Sequence, residues 1–82
     1  MSADAREIEL EVRSLVAAAL KLPAPAQAPI AREACAAWDS LKHVEIVFAL
    51  EDRFGVQFDE DEFPRLDSTS AIADMVAARL GS

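Results

Sequence analysis

Residues 38–56 read Trp38-Asp39-Ser40-Leu41-Lys42-His43-Val44-Glu45-Ile46-Val47-Phe48-Ala49-Leu50-Glu51-Asp52-Arg53-Phe54-Gly55-Val56. Asp and Ser are residue types that start helices, and Gly is the type that ends them in a left-handed conformation. The spacing therefore predicts a helix from Ser40 to Phe54. With Ser40 at zero and about 100° per residue, Ile46, Leu50, Phe54 and Val47 fall between about 240° and 340°, a core-facing stripe. A second apolar group, Val44, Phe48 and Leu41, falls between about 40° and 100°, interleaved with Glu45, Glu51 and Asp52. Lys42 and Arg53 lie on another flank, near about 200° and 220°. A helix that only fills a core needs one stripe. The second reads either as a docking surface rimmed by charge or as a face that neighbouring helices cover.

Further out, Ile8, Val12, Leu15, Val16, Ala19 and Leu20 recur at helical spacing and predict a first helix from about Ala3 to Leu20, with Ser2 or Asp4 as its cap. Pro23, Pro25 and Pro29 forbid its continuation, so Lys21 to about Asp39 is expected to be a long loop with one short turn near Ala31–Ala36. That loop is apolar at Leu22, Ile30 and Trp38, and should lie over the core with Ile30 as its anchor. After Gly55, the run Asp59-Glu60-Asp61-Glu62 puts acid where a short helix would begin, and Pro64 keeps it brief. A last helix is predicted from Ser68–Ser70 to Leu80, with Ile72, Met75, Val76 and Leu80 as its apolar face and Gly81 as its stop. The fold expected is all-α: a single domain over residues 1–82, a small four-helix bundle of three main helices and one short one, with a long first connection.

The chain has 82 residues, one Cys and a net charge of −7, from 15 acidic and 8 basic side chains. This length leaves little room for an enclosed active site, and one Cys forms no internal disulfide. A hydrophobic content of 52% argues against disorder. The acidic balance argues against nucleic acid and anionic membranes as partners, since phosphates reward clustered Lys and Arg. No apolar stretch approaches the roughly 20 residues that span a bilayer. Met1 to Leu10 show no signal-peptide pattern, so a cytoplasmic protein is expected, and the charge favours one that stays monomeric by self-repulsion or docks onto basic partners.

Trp38-Asp39-Ser40-Leu41, then Val44-Glu45-Ile46-Val47, Leu50-Glu51 and Phe54-Gly55-Val56, resembles the acyl carrier protein family, and the likeness extends over most of the chain. The resemblance implies that Ser40 receives a 4′-phosphopantetheine arm from coenzyme A through a phosphopantetheinyl transferase. It implies that the arm's thiol carries an acyl or aminoacyl group as a thioester, and that the protein itself is not an enzyme. An acyl- or aminoacyl-loading ligase or synthase and downstream enzymes would be its partners. A Ser at a helix start suits this chemistry, because a phosphodiester there meets the positive end of the helix dipole. Asp39 orients the loop, caps the helix or assists the transferase's metal. Leu41 and Val44 offer apolar contacts beside the attachment point. With Phe48, Val44 forms a docking face, and Glu45, Glu51 and Asp52 match acidic positions that the family presents to basic partners.

Two departures are visible. Carriers of fatty-acid synthesis usually have a Gly shortly before Asp-Ser-Leu, where Ala36-Ala37-Trp38 stands here, and an acidic residue soon after the Leu, where Lys42-His43 follows. Both suggest a specialised carrier, as in secondary-metabolite pathways. Phe48, Phe54, Phe58 and Phe63 are bulky for so small a core and favour small or polar cargo. The competing class is a helical interaction module without a covalent cofactor, docking through the Val44/Phe48 face. Cys35 and His43 as nucleophile and base form a distant third reading; as a packed small residue and a boundary His they need no chemistry. They are too few for a metal site, and Asp59–Glu62 lacks the spacing and the Gly of a Ca²⁺ loop.

Overall fold

A computed structural model describes residues 5–22 and 29–81. Three α-helices, α1 (Ala5–Ala19), α2 (Ser40–Phe54) and α3 (Thr69–Gly81), are joined through two 3-10 segments, η1 (Arg32–Ala34) and η2 (Glu60–Arg65). The fold is small and all-α, as expected, with η2 as the short fourth helix. The proposed caps Ser2 and Asp4, and Pro23 and Pro25, lie outside the described residues.

One apolar cluster holds the fold. Ile8, Val12 and Val16 come from α1 and Leu20 from the turn after it, Ile46, Val47 and Leu50 from α2, and Ile72, Ala73 and Val76 from α3. Trp38, Val56, Phe58 and Leu66 close it from the connections. The α1 helix lies against both α2 and α3. It ends in a Schellman motif, with Leu22 N–H donating to Ala17 C=O at 2.9 Å and Lys21 N–H to Ala18 C=O at 3.1 Å. Lys21 takes the left-handed conformation there, at φ 58°. At the far end of α2 the same role falls to Gly55, at φ 67°.

The long connection is tied to the start of α3 through its backbone. Ile30 N–H donates to Thr69 Oγ1 at 2.9 Å. Thr69 N–H returns a bond to Ile30 C=O at 2.9 Å, and Arg32 N–H donates to Asp67 C=O at 2.8 Å. Ile30 is half-buried against the core, so it anchors the loop as expected. The backbone pairing that fixes it, an isolated bridge between Ala31 and Ser68, has no periodic signal in the sequence.

Two expectations about the helices change. Leu80 stands in the last turn of α3 and is exposed, and Gly81 is the helix's final residue, not a stop beyond it. Of the four phenylalanines expected to fill the interior, Phe58 is buried and Phe54 and Phe63 are half-buried, but Phe48 lies on the surface. Its position on the second stripe of α2 turns it away from the cluster.

The α2–η2 connection is fastened from both sides. Glu51 Oε2 accepts the Phe58 N–H at 2.8 Å. From α3, Arg79 donates to Gln57 C=O at 2.7 Å, pairs with Glu62, and lies 5.0 Å over the Phe58 ring.

Candidate functional site

Ser40 is the first residue of α2, and its side chain is exposed. Asp39 precedes it in extended conformation, and its Oδ1 accepts the Lys42 N–H at 2.9 Å. One first-turn donor is thereby satisfied, as an N-cap requires. The Asp39 C=O accepts the His43 N–H, which begins the helix proper. Beside this start stands Arg32, from η1. Its Nε donates to Trp38 C=O at 3.2 Å and its Nη2 to Ser40 Oγ at 3.4 Å.

Beneath the start of α2 runs a chain of hydrogen bonds, buried at its Trp38–His43 link and partly buried at Phe63. Trp38 Nε1–H donates to His43 Nδ1 at 3.0 Å, and His43 Nε2 lies 2.7 Å from Phe63 C=O. An indole nitrogen only donates and a carbonyl only accepts. His43 is therefore neutral with its proton on Nε2. The tilted rings lie 6.0 Å apart. This chain links the residue two before Ser40 to the first turn of α2 and to η2. It fixes the entry to the helix from below while Arg32 fixes it from the side.

The chain also decides the Cys35–His43 reading. Both nitrogens of His43 are occupied, and the residue is 6% exposed, so it is buried and not at the boundary. Cys35 is half-buried and packed against the core. The Trp38–His43 pair escaped sequence reasoning. Its one trace is an N–H-bearing aromatic five residues before a His, across a helix start.

The second stripe of α2 is open. Leu41 is 69%, Val44 38% and Phe48 60% exposed. Among the described residues, no neighbouring helix covers it. The carboxylates around it differ in freedom. Asp52 is exposed. Glu45 is exposed but has Lys42 Nζ at 3.2 Å, so Lys42 does not stand on a separate flank from the acid. Glu51 is engaged internally with Phe58. Arg53 pairs with Glu11 of α1 and so braces two helices.

The acidic run after Gly55 serves the fold. Asp59 N–H donates to Glu62 Oε1 at 2.9 Å. That bond, and then Arg79, hold the Glu62 carboxyl below the usual carboxylate range against the opposing effect of desolvation. Among the described residues, no group of three or more His, Cys, Asp or Glu side chains could hold a metal ion.

No family model matches the chain, and no solved structure matches it significantly. It is 37% identical over 75 residues to Acyl carrier protein 3 of Ralstonia nicotianae, covering 88% of this chain and 84% of that protein. No helix among the described residues is long and apolar enough to cross a membrane.

Proposed function

The chain belongs to the acyl carrier protein family, and from that premise we propose that it acts as one carrier domain whose 4′-phosphopantetheine arm is attached at Ser40. The observation that carries this reading is the setting of the Ser40 hydroxyl. It is exposed at the start of a 15-residue helix whose entry is held by the Trp38–His43–Phe63 chain. The residues fit a phosphodiester there: the helix dipole is positive at that end, and the Arg32 guanidinium already reaches the oxygen that would bear the phosphorus. When bound, the arm supplies a terminal thiol that holds an acyl or aminoacyl group as a thioester. The chain's own residues catalyse nothing; they present the hydroxyl rigidly and offer a surface for partners.

That surface is the open stripe of Leu41, Val44 and Phe48 with Glu45 and Asp52 at its rim, where a loading ligase or synthase and the transferase dock. Glu51 belongs to the same helix but contributes chiefly by holding Phe58. Apolar centre and charged rim together give fast, weak, exchangeable contacts. Lys42 and His43 stand where housekeeping carriers tend to place acid, and His43 is a structural residue here. This supports a specialised carrier with dedicated partners.

The test is to incubate the apo protein with coenzyme A, Mg²⁺ and a broad-specificity phosphopantetheinyl transferase and record the intact mass under reducing conditions. One phosphopantetheine should add to the wild type and none to Ser40→Ala. Absence of any gain with several transferases would leave the interaction-module reading in its place.

A further inference from the structure

Next to Ser40 lies a groove of about 490 Å³ between η1 and η2, lined among others by Arg32, Glu33, Cys35, Trp38, Pro64 and Asp67. Arg32 belongs both to this groove and to the Ser40 hydroxyl. Its backbone is pinned to Asp67 and its Nε to Trp38 C=O, which leaves Nη2 aimed at Ser40 Oγ. We infer that Arg32 is a phosphate clamp, pairing with the phosphodiester on Ser40 and laying the pantetheine arm into the groove beside Trp38.

The chemistry matches along the arm's length. A phosphorus on Oγ sets its non-bridging oxygens two bonds beyond the oxygen that Nη2 already reaches. Arginine favours such oxygens because its planar fork can donate twice, in bonds stronger than those between neutral groups. Further along, the arm has geminal methyls and two amides. The groove offers Cys35, Trp38 and Pro64 as apolar wall, and the carboxylates of Glu33 and Asp67 as amide acceptors. Its volume lies in the range of small-ligand sites, about 300–1,000 Å³. Part of the arm's freedom is thus given up at rest and recovered when a partner draws it out.

This inference rests on attachment at Ser40, and its test separates the two. Holo protein is prepared from coenzyme A, for wild type and for Arg32→Gln, which keeps a neutral donor for Trp38 C=O. In the wild type, the ³¹P signal should shift with added NaCl, and nuclear Overhauser effects should link the arm's methyls to Cys35 and Pro64. In Arg32→Gln the salt response and those contacts should vanish. Attachment should raise the melting temperature of the wild type more than that of the variant, a difference that a purely structural Arg32 would not produce. If the variant does not fold, the wild-type contacts decide. A chain that accepts no arm removes the carrier reading and this inference together. A chain that accepts it, but shows no groove contacts in the wild type, or whose ³¹P salt response in Arg32→Gln equals that of the wild type, overturns this inference alone.

Discussion

Trp38 and His43 turn an exposed hydroxyl into a fixed one. The Trp38–His43 bond is buried and the His43–Phe63 bond partly so, and each donor has one partner, so removing a member leaves the next unsatisfied. Trp38→Phe keeps most of the apolar contact but strands His43 Nδ1. It should therefore lower stability by about 1–3 kcal/mol, read by urea denaturation. An unchanged midpoint would show that the bond contributes nothing. At this scale the sequence was legible where local rules govern. Asp39-Ser40 announces a helix start because a short carboxylate next to a helix accepts first-turn N–H groups. The Trp38–His43 bond was not legible, because it depends on how the loop folds over the helix. Arg32 was hidden for the same reason: it reaches Ser40 only because the Ile30–Thr69 pairing places η1 beside α2.

Among the elements, α2 was the clearest in the sequence. Its limits are set by Asp39 and Gly55, and its two stripes keep their angular separation, one inside the bundle and one outside. Periodicity could not say that the outer stripe stays bare, since a small bundle might have covered it. The phenylalanine count failed for a related reason, because bulk alone does not say which stripe a residue occupies. The end of α1 was placed by the prolines without any sign of its geometry. Lys21 holds a left-handed conformation there, which costs a non-glycine residue about 1–2 kcal/mol, partly offset for Gly by its larger unfolded-state entropy. Lys21→Gly should raise stability by up to about 1 kcal/mol, or a few degrees in melting temperature, with α2 unaffected. A lower melting temperature would indicate that the Lys21 side chain stabilises the turn.

For the molecule as a whole, the charge of −7 has two parts with different duties. Asp52 and Glu45 face solvent beside the open stripe, while Glu51 and Glu62 hold the α2–η2 connection. Glu62 gives a pH signature. Its carboxyl is lowered on folding from an ordinary value of 4.5. The folded state thus binds its proton less readily than the unfolded chain. Its stabilising contribution is complete above pH 4.5 and is lost as pH falls through the lower folded value. Wild type should therefore melt above Glu62→Gln at neutral pH, with the gap closing on acidification below pH 4.5. A gap that persists in acid would contradict this.

Which atom carries the arm decides the function, and Ser40 shares the tryptic peptide Glu33–Lys42 with Cys35, whose thiol could take up coenzyme A as a mixed disulfide. The direct measurement is fragmentation of that peptide after transferase treatment and full reduction. A phosphopantetheine that survives reduction and maps to Ser40 is the predicted result. A modification on Cys35 that reduction removes, or an unmodified peptide, would contradict it.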